Sequence, residues 1–67
     1  MHTFKSTFVQ IGEDALVRFE DEIIPAVKGT NILIDNVWYK VTEVALYCKT
    51  LENSYSLTES IYVKEDK

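Results

Sequence analysis

Val37-Trp38-Tyr39-Lys40-Val41-Thr42-Glu43-Val44-Ala45-Leu46-Tyr47-Cys48-Lys49 is the longest patterned run in the chain, and its reading decides the fold. Val37, Tyr39 and Val41 alternate with Trp38, Lys40 and Thr42, the period of a strand with one apolar face. The apolar set then changes parity to Val44, Leu46 and Cys48. A one-residue β-bulge near Thr42-Glu43 returns both halves to a single face. The same residues also admit a short helix within 41–52, because Val41, Val44, Ala45 and Cys48 fit the i, i+3, i+4, i+7 spacing. Val, Thr, Tyr and Cys are mediocre helix formers, so the run is read as a strand. On that reading Val37, Tyr39, Val41, Val44 and Leu46 point inward and Cys48 shares their buried parity. Trp38 and Tyr47 then point outward.

Upstream, Asp35-Asn36 reads as a two-residue hairpin turn, since both residues tolerate the positive φ such turns need. It joins the run to a short β-branched strand over 30–34. Before that, Pro25 lacks an N–H and Lys28-Gly29 supplies a break, so 23–29 is a loop or an edge. Ala15, Val17 and Phe19 share one face of a short strand that stops at Glu20-Asp21-Glu22. Residues 3–11 form another strand, ended by Gly12-Glu13-Asp14. Downstream, 50–54 is a polar turn, after which Tyr55, Leu57, Ile61 and Val63 alternate with Ser56, Thr58, Ser60 and Tyr62. Tyr62 therefore points outward, and Glu59, which interrupts the apolar row, is expected at an edge or an interface. Glu65-Asp66-Lys67 reads as a frayed tail. Five strands joined by short connections, with no room for crossover helices, make an all-β fold: a small, mainly antiparallel, five-stranded open barrel.

Sixty-seven residues form one domain, 1–67, and a chain this short buries only about 60% of its unfolded surface. One Cys and one His leave neither a disulfide nor a zinc set to support it. Packing and self-association remain, so a homo-oligomer is expected. A net charge of −4 has the wrong sign for neutralising phosphates, which argues against direct nucleic-acid and anionic-membrane partners. No run approaches the ~20 apolar residues of a membrane helix, and the start of the chain does not read as a signal peptide. A single free thiol fits the cytoplasm, of the host cell if the chain is viral.

The stretch from Ala26 to Val44 carries a Gly-containing loop, an apolar strand, a tight turn, the aromatic pair Trp38-Tyr39 and alternating valines. It resembles small SH3-like β-barrel proteins of bacteriophages and mobile elements. The resemblance covers about a third of the chain. It implies an accessory or structural viral protein that binds other proteins, and it carries over no catalytic residues.

Chemistry finds no foothold in the residues. His2 is terminal, Cys48 sits on the expected buried parity with no base beside it, and neither makes a catalytic pair. Glu20-Asp21-Glu22 with Glu13-Asp14 could gather oxygen ligands for calcium, but the spacing is not that of an EF-hand, and solvated turns are the simpler account. No Gly-rich phosphate loop or nucleophile elbow is present. The chain therefore reads as a non-enzymatic protein without a cofactor. Its candidate partner-binding residues are the outward aromatics Trp38, Tyr47 and Tyr62 and the acidic Glu20, Asp21 and Glu22. Such a surface suits a phage-encoded inhibitor or anti-defence protein acting on a host protein. The alternatives are a structural subunit of a virion or tail, and an acidic mimic of DNA that blocks a nucleic-acid-binding protein. The outward face could instead be covered by the N-terminal strand, with Phe4 and Phe8 packing on Trp38.

Overall fold

The computed structural model describes residues 2–66, apart from the side chain of His2, so the expectation for that imidazole lies outside the described residues. Five strands follow one another: β1 (His2–Ile11), β2 (Asp14–Glu20), β3 (Asn31–Ile34), β4 (Val37–Leu51) and β5 (Ser54–Glu65). They form one sheet in the order β2-β1-β5-β4-β3, curled into a half-barrel, which makes the protein a small open β-barrel. The competing helix within 41–52 does not form, because β4 runs unbroken from 37 to 51. Three pairings are antiparallel hairpins, whereas β1 lies parallel to β5, the pairing that brings the first and last strands together at the centre.

The hairpin turns follow local chemistry. Asp35 and Asn36 take φ of 50° and 67°, the two positive values of a type I′ turn, and Gly12 at 58° and Asn53 at 59° serve the other two hairpins. The parity change in β4 is a bulge: Val41 lies opposite Val63 and Glu43 opposite Tyr62, with Thr42 unpaired between them. A second bulge, which the alternation does not announce, falls in β2. Val9 faces Val17 and Gln10 faces Ala15, so Leu16 is the extra residue and Ala15 moves to the outer face instead of sharing that of Val17 and Phe19.

Directly opposed residues point to the same side of a sheet. Every buried residue lies on one such side: Thr7 and Val9 on β1, Val41 on β4, and Glu59, Ile61 and Val63 on β5. Val17, Phe19, Ile32, Ile34, Tyr39 and Val44 pack around them. The loop between β2 and β3 covers this core face with Ile24 and Ala26.

Glu59 holds that loop down. The expectation of an edge position fails: Glu59 is 5% exposed in the middle of the central strand. Its Oε1 accepts the Ile24 N–H at 2.9 Å, and the Thr7 hydroxyl lies 3.0 Å away. The same hydroxyl reaches the Glu22 carbonyl oxygen at 2.8 Å, so its single proton has two acceptors within range. A carboxylate on an apolar row therefore marks an internal tether, which alternation by itself cannot distinguish from an edge. Of the expected frayed tail, Glu65 belongs to β5 and the Asp66 N–H donates to the Trp38 carbonyl at 2.8 Å, while Lys67 lies outside the described residues.

Removing either side of the tether leaves buried or partly buried polar groups unmet. Glu59→Ala should lower unfolding free energy by about 2–4 kcal/mol and Thr7→Val by about 1–2 kcal/mol, both read from urea midpoints. Ile61→Ala, at the centre of the core, should cost about 2–5 kcal/mol in the same assay.

Candidate protein-binding face

The outer face of the sheet contains no buried residue among those described. Trp38 (52% exposed) and Tyr47 (65%) lie on it with Phe4, and Tyr62 is half-buried there. β1 does not fold over this face, because it is part of the same sheet, so Phe4 and Phe8 form no second core layer on Trp38. The outward aromatics do not gather into one cluster. Tyr62 lies opposite Glu43, Tyr47 opposite Thr58, and Trp38 bonds to Asp66, so they are spaced four β5 residues apart, roughly 13 Å per step. Lys40 and Lys64, opposite each other, separate Trp38 from Tyr62.

The acidic residues meet this line at one point. Glu20, Ser6, Thr58 and Tyr47 are successive partners across β2, β1, β5 and β4, a single row on the outer face. Asp21 and Glu22 use their backbones for architecture while their side chains stand exposed at the end of β2. Asp21 takes a left-handed φ of 62°, and its N–H donates to the Lys5 carbonyl at 2.8 Å, turning the chain off β2. The Glu22 carbonyl receives Thr7 as described. Glu13 and Asp14 sit at the other end of β2, roughly 20 Å of strand away from Glu20, so the two acidic turns do not converge on one ion.

Beside that row is a shallow hollow of about 210 Å³, lined by Phe4, Lys5, Ser6, Arg18, Glu20, Asp21, Ser56, Leu57 and Thr58. Ser6 on β1 and Ser56 and Thr58 on β5 supply three short hydroxyl side chains beside the ring of Phe4, and the charged pair comes from β2 on the other side of β1. Arg18 Nη2 lies 3.2 Å from Glu20 Oε1, and its guanidinium stacks over Phe8, 5.4 Å from the ring centroid. Both charged side chains are well exposed, so the pair adds at most about 1 kcal/mol and chiefly fixes where the charges stand. The lining holds no imidazole or thiol to activate a nucleophile. Its size suits one side chain of a partner better than a whole metabolite.

The core face also departs from expectation at its far end. Leu46 and Cys48 have the inward parity, opposite Glu59 and Leu57, but the covering loop stops short of them. Leu46 is 61% exposed and Cys48 is an exposed free thiol. Alternation sets which side a residue faces and says nothing about whether a second layer reaches it. Phe4 and the row of short hydroxyl residues were likewise not singled out by the pattern, because strand parity ranks large residues and passes over the gaps between them.

Among the described residues there is no helix long and apolar enough to cross a membrane and no cluster of metal-ligand side chains. Comparisons with protein-family models, with curated proteins and with solved structures find no match.

If these aromatics serve recognition and not packing, their loss should leave the fold intact. Tyr47→Ser and Trp38→Ser should each shift unfolding free energy by under about 1 kcal/mol, against the larger losses at Glu59 and Ile61, with urea midpoints as the check.

Proposed function

We propose that the protein performs no chemistry of its own and acts by binding another protein through the outer face of its sheet, as a homo-oligomer in the cytoplasm. The observation that carries this reading is the joint exposure of Phe4, Trp38 and Tyr47 on one face of a rigid sheet that no described element covers. Trp and Tyr supply large contact area at low ordering cost and dominate binding energy where they are buried by a partner. Arg18, Glu20, Lys40 and Lys64 place charges of both signs around them, the polar surround that such contacts have. The resemblance of residues 26–44 to small phage barrels points to a phage-encoded accessory protein that acts on a host protein, of the inhibitor or anti-defence kind.

A structural subunit of a virion or tail is the second reading, favoured by the unpaired stretch of β4 beyond β3, since open strand edges assemble by strand addition. Mimicry of DNA draws the least support, because Arg18, Lys40 and Lys64 interrupt the carboxylates on the outer face.

The test is quantitative comparison of proteins retained from native-cell lysate by immobilised wild type and by Trp38→Ser. A defined protein retained by wild type and reduced at least about tenfold on the variant supports the outer-face contact. Equal retention by both removes Trp38 from it.

A further inference from the structure

The longest unpaired edge of the sheet belongs to β4. β3 pairs with β4 only through Val37–Lys40, and Thr30 and Gly29 bond the backbone of Val41. From Glu43 to Leu51 no described strand lies on that side. The pairing of Leu51 with Ser54 across a two-residue turn sets the alternation of the ladder. Leu51, Lys49, Tyr47, Ala45 and Glu43 turn their N–H and C=O groups to β5. Val44, Leu46, Cys48 and Thr50 turn theirs to the open side.

Free edges are ordinarily blunted by charge or brevity. The other outer edge fits that rule: β2 carries Asp14, Arg18 and Glu20 within seven residues. β4 does not, having only Glu43 and Lys49 at the two ends of Val44-Ala45-Leu46-Tyr47-Cys48. That sequence is complementary to itself when reversed. Set antiparallel to a second copy with Leu46 opposite Leu46, Val44 meets Cys48, Ala45 meets Tyr47, and Glu43 meets Lys49, each twice by symmetry. Apolar residues of the core face pair with apolar residues, the small Ala45 accommodates the large Tyr47 on the outer face, and both charge pairs are of opposite sign. Centring on Tyr47 instead sets Lys49 against Ala45 and Glu43 against Leu51. Centring on Cys48 loses the charge pairs altogether.

We infer that two copies of this chain associate through the 43–49 edges of β4, antiparallel about a two-fold axis at Leu46, to form one continuous ten-stranded sheet. Val44, Leu46 and Cys48 of each copy exchange backbone hydrogen bonds with the other. The exposed Leu46, which no element of its own chain covers, packs against its symmetry mate. The paired segment ends before Val41, whose backbone edge is already taken by Gly29 and Thr30. The inference rests on the homo-oligomer part of the reading above and is independent of the outer-face contact, because Trp38 lies outside the paired segment.

The experiment is light scattering after size exclusion on wild type, Glu43→Lys, Lys49→Glu, the double exchange and an equimolar mixture of the two single variants, with circular dichroism confirming the fold of each. Wild type and the double exchange should be dimers. Each single variant converts two attractive pairs into repulsive ones and should dissociate at least about tenfold more readily, while the mixture recovers the dimer because every cross-pair is again of opposite sign. In a Cys48→Ser background, Leu46→Cys should form an intermolecular disulfide on mild oxidation, since directly opposed residues lie about 5.5 Å apart, whereas native Cys48 should not link. A wild-type monomer at about 0.1 mM, where even a dimer with a dissociation constant of about 1 μM would be mostly associated, overturns the proposal. So does a dimer that ignores the charge exchanges or that links through Cys48, either of which places the contact elsewhere.

Discussion

The carboxylate of Glu59 is the constraint on which the rest of the molecule depends. A single sheet has two faces, and a stable domain needs a second layer over at least one of them. With no helix among the described residues, the only available layer is the ten-residue connection from β2 to β3, which has no strand pairing of its own. Glu59 bonds the backbone of that connection at Ile24, and Thr7 beside it reaches the carbonyl of Glu22. Those contacts set Ile24 and Ala26 over Val9, Val41, Ile61 and Val63. A core with four buried apolar residues among those described leaves little margin, so a buried polar group beside it decides whether the cover stays in place.

The cover reaches only one end of the molecule. The envelope measures 45 × 20 × 19 Å, and its long axis reflects the β4–β5 hairpin, which with the start of β1 runs past the loop. At that far end the sheet is a single layer among the described residues, with Leu46 and Cys48 exposed on one side and Phe4 and Tyr47 exposed on the other. Exposed apolar groups in such numbers on a small acidic protein are what the proposed contacts rest on. The two proposed surfaces share this origin, since both use residues that a 67-residue chain has no further layer to bury. Joined along β4, two copies would also present their outer faces side by side.

Much of this was legible in the residues. Period-two alternation gave the strands, Asp35-Asn36 and Gly12 gave the turns, and the parity slip between Val41 and Val44 located the bulge at Thr42. The outward direction of Trp38, Tyr47 and Tyr62 followed from that bulge. Their arrangement did not, because parity states a side of the sheet and not a position along it. The 13 Å steps between them come from the β4–β5 register, and the meeting of Glu20 with Tyr47 in one row comes from β1 being inserted between β2 and β5.

The sequence by itself determined the class of fold, the approximate extent of the strands and, outside the unannounced bulge at Leu16, the side on which the strand side chains stand, because steric alternation and turn conformations act within a few residues. Only the tertiary structure decided what was buried. Glu59 became a tether and Cys48 and Leu46 became surface for the same reason: burial depends on where a distant loop comes to rest. That position is set by hydrogen bonds between residues 15 and 35 positions apart, which no local pattern encodes.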